Sequence, residues 1–256
     1  MSAGDEDPGQ LFLSDGLALF VGRVSDTSVH AHYAVQLTLA LDNPFQLSTN
    51  ASSEECSAAI VPSREPHAVR APEGKLLLLY LDPTATPGEQ VAASCKGKGV
   101  RTLRAAEVAD CVADVRPNLT ACSEPMVAQA LVRRILSALA PGLPRESRVD
   151  PRIREVLALL DDEAAGPSQL PELAADVGLS PDRLRHLFAE QLGIPIRSYR
   201  SWARIRQAMT LLARGGSLTE VAHAANFADA AHLSRAFRDM FGITLSKLAK
   251  SQIKLH

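Results

Sequence analysis

The segment Glu172-Leu173-Ala174-Ala175-Asp176-Val177-Gly178-Leu179 returns in altered form as Glu220-Val221-Ala222-His223-Ala224-Ala225-Asn226-Phe227. Leu184, Leu187, Phe188, Gly193 and Ile194 return as Leu233, Ala236, Phe237, Gly242 and Ile243. The first segment returns 48 positions later and the second set 49, and such a repeat constrains a fold more than any single motif, because each copy must be one supersecondary unit. Each copy reads as a short helix, a turn and a second helix of about a dozen residues, the pattern of a helix-turn-helix.

The residue types suit that geometry. Ala174 and Ala222 are small where the first helix must press on the second. Gly178 stands where the chain leaves the first helix and needs a positive backbone angle, and Asn226 is the next-best residue for that conformation. Ser180 is placed to cap the second helix, with Pro181 at its first position, and Asp229 is placed to cap the matching helix. Leu184 with Phe188 and Leu233 with Phe237 are four apart, so each pair faces the core. Asp182, Arg185, His186 and Gln191 then point outward on one helix, and Ala230, Ala231, Ser234, Arg235 and Arg238 on the other.

Between the units, Pro195 to Arg214 reads as one helix with Tyr199, Trp202, Ile205, Met209 and Leu212 as its apolar stripe. About 20 residues at about 1.5 Å each span roughly 30 Å. One turn of B-DNA is about 34 Å, so one chain could place both second helices in successive major grooves. Charge agrees with this. Residues 181–256 carry 12 Lys and Arg against 5 Asp and Glu, leaving 15 against 24 for the rest of the chain's 27 and 29. A basic tail on an acidic body is the footprint of a module that meets phosphates. An all-helical protein-interaction module with a solvated basic face is the competing reading.

Upstream, the chain is expected to be mostly β over residues 10–82. Leu17 to Val21, Ala34 to Leu39, Ala58 to Val61 and Lys75 to Leu81 are short apolar runs separated by turn residues, which suggests a small barrel or sandwich. From Pro87 the pattern turns helical, over Gly88 to Cys95, Ala105 to Asp114 and Glu124 to Leu139. The last has one apolar stripe through Ala128, Leu131, Val132, Ile135, Leu136 and Leu139. That stripe either joins a second copy of the chain, as a homodimer, or packs on its own barrel. Residues 141–150 read as a linker between an N-terminal part, 1–140, and an all-helical part, 151–256.

No run is long and apolar enough to span a bilayer, and the acidic N-terminus is no targeting peptide, so a cytoplasmic protein with no membrane partner is expected. Cys56, Cys95, Cys111 and Cys122 form no C-x-x-C pair, which argues against a zinc cluster or disulfide framework.

Leu179 to Phe188 with Gly193-Ile194, Ala203-Arg204-Ile205-Arg206-Gln207-Ala208, and Ala222, Phe227, Leu233 to Arg238 and Gly242 occur in order and at the spacing of a known family. Over about 100 C-terminal residues the chain resembles the AraC/XylS transcription regulators. The resemblance implies two domains of mixed α and β, with a cupin-like sensing barrel before a double helix-turn-helix. It implies double-stranded DNA as partner, with half-sites about one turn apart. DNA contacts would fall on Ser180, Asp182, Arg183, Arg185 and His186, and on Ala230, Ala231, His232, Ser234 and Arg235. The implied function is effector-responsive transcription regulation without catalysis, with RNA polymerase as a further partner. Asn226 stands where the family usually has Gly, Leu245 where it has Pro, and Leu248-Ala249 where it has an aromatic-Arg pair.

The N-terminal half resembles that family's barrel through Val29 to Gln36, Val61-Pro62 and Pro66-His67. His30, His32 and Gln36 are expected on one face of a strand, facing an effector pocket together with His67. The resemblance implies no required cofactor. A divalent metal on His30, His32 and His67 is the alternative ligand, with Gln36 where metal-binding cupins carry Glu. A metal-dependent cupin enzyme fused to a helical module is the rival function.

Overall fold

The structure, a computed structural model, describes residues 9–14, 16–24, 26–72, 74–85, 87–95, 97–121, 124–140, 149–161, 169–245 and 252–255. Most of the expected linker, Cys122 and the 248–249 pair lie outside them.

The N-terminal part is a β domain of two sheets. Its strands are β1 (Gln10–Ser14), β2 (Leu17–Arg23), β3 (Val35–Ala40), β4 (Phe45–Thr49), β5 (Ser53–Cys56), β6 (Ala58–Val61), β7 (His67–Arg70), β8 (Lys75–Leu81) and β9 (Arg101–Leu103). The chain returns with β10 (Gln252–Leu255) to lie parallel to β1, from Gln10 opposite Gln252 to Leu13 opposite Leu255. The large sheet runs β10-β1-β2-β8-β3-β6-β9 and the small one β5-β4-β7. The ladder is open at its ends, so the expected barrel is a pair of facing sheets.

β8 explains why Leu76 to Leu79 is uninterrupted by polar residues: it is a central strand covered on both faces. Leu77, Leu79 and Leu81 join Leu19, Leu37 and Leu39 beneath the helices, while Leu76 and Leu78 meet Phe45, Leu47 and Val69 of the small-sheet side. The covering helices are α1 (Gly88–Cys95), α2 (Ala105–Val115) and α3 (Pro125–Leu139), with a 3-10 turn over Arg116–Ala121. The whole apolar stripe of α3, Ala128 through Leu139, is buried against this sheet. Of the two uses the sequence left open for it, packing on its own β domain is the one observed.

The helical part contains α4 (Pro151–Asp161), α5 (Leu170–Asp176), α6 (Pro181–Leu192), α7 (Ile196–Ala213), α8 (Leu218–Ala224) and α9 (Ala230–Phe241). α5-α6 and α8-α9 are the two repeats, and α7 joins them. Ser180 Oγ accepts from Arg183 N at 3.2 Å and Asp229 Oδ1 accepts from His232 N at 2.6 Å, so both second helices start on the expected caps. Gly178 and Asn226 both turn left-handed, at φ 65° and 57°. Gly193 and Gly242 do the same where the second helices end. Leu245 is buried in the core of the second unit, so an apolar contact stands at the position the family resemblance gives to Pro.

Each helix-turn-helix core also takes residues from the β domain. Tyr33 and Ala34 enter the core around Leu184, Phe188 and Tyr199, and Leu11 and Leu13 enter the one around Val221, Leu233 and Phe237. No described helix is long and apolar enough to cross a membrane.

Candidate nucleic-acid interface

The second helices of both units keep an outward face. On α6 Asp182, Arg183, Arg185 and His186 are exposed; on α9 Ala231, His232, Arg235 and Arg238 are exposed, with Ala230 and Ser234 half-buried. Arg185 pairs with Asp182 one turn earlier, with 62% and 81% of the two side chains exposed. Such a surface pair contributes about 0–1 kcal/mol, so Arg185 is free to exchange it for a base edge or a phosphate, and Asp182 for a base-edge donor. Three of the expected contact residues are already engaged locally. Ser180 caps its helix, Ser234 Oγ donates to Ala230 O at 2.8 Å, and His232 Nδ1 accepts from Ala228 N at 3.4 Å while its ring stands edge-on to Phe227. The cations of α6 and α9 are therefore the groups most available to DNA.

The structure brings His30, His32, Gln36 and His67 together, but not on one strand. Only Gln36 lies in β3; His30 forms an isolated bridge with His67, and the intervening chain bends. The simple alternation that the sequence suggested is broken before β3, and the cluster is closed by pairing across 37 positions, 30 to 67. His30 Nδ1 meets Ser28 O at 2.8 Å, His32 Nδ1 meets Ala34 O at 2.9 Å, and His67 Nδ1 meets Glu65 O at 2.8 Å. A carbonyl can only accept, so each Nδ1 carries the proton and each Nε2 keeps its lone pair. The Nε2 atoms of His32 and His67 face Gln36 Oε1 at 2.8 and 3.2 Å. Burial holds His32 down to about 4, opposed by the hydrogen bond that only its protonated ring could donate to Gln36, and holds His67 down to about 3 with help from the neighbouring imidazoles. His30 is lowered by burial too.

Sequence reasoning missed a second set of residues, the ones that join the β domain to the helices. Asp82, at the end of β8, is buried and accepts from Trp202 Nε1 at 2.9 Å. Its carboxylate also lies 3.2 Å from Arg206 of α7, which in turn pairs with Asp161 of α4. Arg64 donates to Gly193 O, and Ser28 N donates to Gly242 O at 3.1 Å. A Trp and an Arg four apart on the joining helix was the one signal available, since that spacing puts both on one face.

The two glycine caps make a controlled comparison. A Cβ on Gly193 would meet nothing within 4 Å, whereas one on Gly242 would lie 2.6 Å from His30 Nδ1, 2.7 Å from Ser28 O and 2.9 Å from Thr27 Cβ. Gly193→Ala should therefore cost only the left-handed strain it introduces, roughly 1–2 kcal/mol. Gly242→Ala adds an overpacking cost of about 1–3 kcal/mol, because Ser28 O is backbone and cannot rotate away. Urea denaturation of the two variants checks this; equal losses would mean that Gly242 is not pressed against segment 27–30.

Residues 173–251 match a family described as a helix-turn-helix domain. The chain is 34% identical over 124 residues to the arabinose operon regulatory protein of Escherichia coli, covering 48% of this chain and 41% of that protein. It is 34% identical over 94 residues to the transcriptional regulator GbdR of Pseudomonas aeruginosa, covering 36% and 26%. The matches thus span less than half the length of these relatives. Among solved structures it is similar to ToxT of Vibrio cholerae in its K231A form, with TM-score 0.64 at 9% identity over 91% of this chain and 97% of that one. It is also similar to ToxT bound to an unsaturated fatty acid, with TM-score 0.60 at 9% identity over 92% and 95%. At that identity the likeness establishes the two-part fold alone. The C-terminal helical part of the chain thus carries a helix-turn-helix domain similar to those of these transcription regulators, in keeping with its resemblance to the AraC/XylS family.

Proposed function

We propose that this chain is a sequence-specific DNA-binding transcription regulator whose β domain answers to a small effector. The observation that carries the reading is the paired exposed cations, Arg183 and Arg185 on α6 and Arg235 and Arg238 on α9. They stand on the second helices of two units joined by an 18-residue helix. At about 1.5 Å per residue that helix spans roughly 27 Å, of the order of one DNA turn. The reading assigns the chain no catalytic step. A metal-dependent enzyme would leave those cations without a purpose.

Arg185 and Arg235 are assigned to base edges and Arg183 and Arg238 to phosphates. Ala230 and Ala231 offer only methyl contact to a thymine, so the first unit carries more of the discrimination. A solved ToxT structure holds an unsaturated fatty acid, which supports a small molecule as the effector for a fold of this kind. A homodimer through α3 would have to use its exposed face, Met126, Gln129, Arg133 and Ser137, since the apolar stripe is occupied.

Binding of the full chain to duplex DNA tests the reading. With the two phosphate contacts of Arg183 and Arg238 neutralised, affinity should fall at least roughly tenfold between about 50 and 200 mM salt. A folded chain that binds no duplex, or binds with no salt dependence, contradicts it.

A further inference from the structure

The β domain holds the two recognition helices at equivalent places. Arg64 donates to the carbonyl of Gly193, the cap that ends α6, and Ser28 N donates to the carbonyl of Gly242, the cap that ends α9. Both donors belong to the segments that build the histidine cluster. Ser28 O holds the ring of His30, and Arg64 N donates to His32 O at 2.8 Å. The segments themselves are tied by His30 N to His67 O at 3.0 Å and His67 N to His30 O at 2.9 Å. The cluster also touches the second unit directly, with the rings of His32 and Phe241 6.1 Å apart.

The cluster itself is a set of lone pairs. With each Nδ1 tied to a backbone carbonyl, the three Nε2 atoms are acceptors, and two of them face an amide oxygen. Gln36 Nε2 is turned away and donates to Thr38 Oγ1 at 2.8 Å. One ligand atom from each histidine lies within 4.8 Å of the others, and all three residues are buried. Histidines whose far nitrogens are fixed by carbonyls are oriented as metal ligands are. Three imidazoles with a neutral oxygen suit zinc, nickel, copper or iron, and not calcium or magnesium.

We infer that His30, His32 and His67 bind one divalent transition-metal ion, with Gln36 Oε1 beside it, and that its occupancy sets the β domain's hold on both recognition helices through Ser28–Gly242 and Arg64–Gly193. This rests on the DNA-binding reading above and takes the ion, in place of an organic molecule, as what the β domain answers to. The ion joins the two segments that carry the two grips, so it favours the arrangement of the helices in which both grips are made. It regulates because its affinity differs between that arrangement and one in which a grip is open. Coupling of this kind typically changes affinity roughly 5- to 150-fold.

The test uses the full chain stripped with a chelator, dialysed, and titrated with zinc sulfate. Bound zinc is counted by elemental analysis, operator affinity is followed by fluorescence anisotropy, and emission of Trp202, the chain's single Trp, reports the domain contact without DNA. One zinc per chain, a shift of Trp202 emission and an operator affinity changed about 5- to 150-fold are expected. Gln36→Glu puts an anionic ligand in the cluster and should tighten zinc by at least about tenfold. Arg64→Ala, at an exposed position, should keep the zinc and lose most of its effect on DNA. A folded wild type and a folded Gln36→Glu variant that both bind no zinc overturn the site; the cluster is then a hydrogen-bonded one, with the Gln36 amide turned over to donate to the rings. Zinc bound with neither Trp202 emission nor operator affinity changed overturns the coupling. Zinc bound with Trp202 emission shifted and no DNA binding at any salt concentration supports the site and its hold, and contradicts the DNA-binding reading instead.

Discussion

Asp82→Ala should lower the stability of the folded chain by about 3 kcal/mol, the lower end of the cost of removing one partner of a buried ion pair. Asp82 is buried while Arg206 keeps 30% of its side chain exposed and retains Asp161, which is why the lower end applies. The substitution strands the indole N–H of Trp202 as well, because Asp82 is its acceptor at 2.9 Å. A buried donor left without a partner costs about 1–3 kcal/mol, so the two effects together do not fall below the stated loss. For a chain of this size that is a drop of roughly 6–12 °C in Tm. Asp82→Asn keeps an oxygen for the indole and should cost less. Thermal unfolding followed by Trp202 emission reads both; a loss under about 0.5 kcal/mol for Asp82→Ala would show that the β domain and α7 are not joined through this carboxylate.

Arg185→Ala and Arg235→Ala should each leave the fold intact and weaken binding to a selected operator by roughly tenfold to a hundredfold. Both side chains are exposed, so neither truncation removes core packing. The exposed pair with Asp182 contributes about 0–1 kcal/mol at most, and loss of a bidentate contact to guanine costs about 1–3 kcal/mol of discrimination. The larger relaxation belongs to Arg185, because on α9 two of the neighbouring outward positions are Ala230 and Ala231. Footprints of the two variants should lose protection at places about one turn apart. Unchanged base preference in both would remove these residues from base recognition.

What the sequence made legible is local. The caps at Ser180 and Asp229, the left-handed turns at Gly178 and Asn226 and the buried pairs Leu184–Phe188 and Leu233–Phe237 each depend on residues within one helix or turn. The four most apolar strands were legible too, because central strands buried on both faces leave unbroken apolar runs. β5 has three exposed residues of four, and β4 alternates Phe45 and Leu47 with polar neighbours over five positions, too short to stand out. β10 pairs with β1 across nearly the whole chain, and no pattern in four residues specifies a partner so distant. The same reason hid the interdomain set. Ser28, Arg64 and Asp82 belong to no motif, and their partners lie 214, 129 and 120 positions away. The histidines were found from residue type and a family likeness, but the strand alternation first used to place them is not how the chain brings them together.

Selection of bound sequences from a random pool of duplex DNA by the full chain, at one fixed salt concentration, tests the central claim most directly. Two clusters of enriched base pairs with centres about 10–10.5 bp apart are predicted, the first sharper than the second. Enrichment of a single cluster, or of none, by a folded chain would contradict the account of two recognition helices held on one face of DNA.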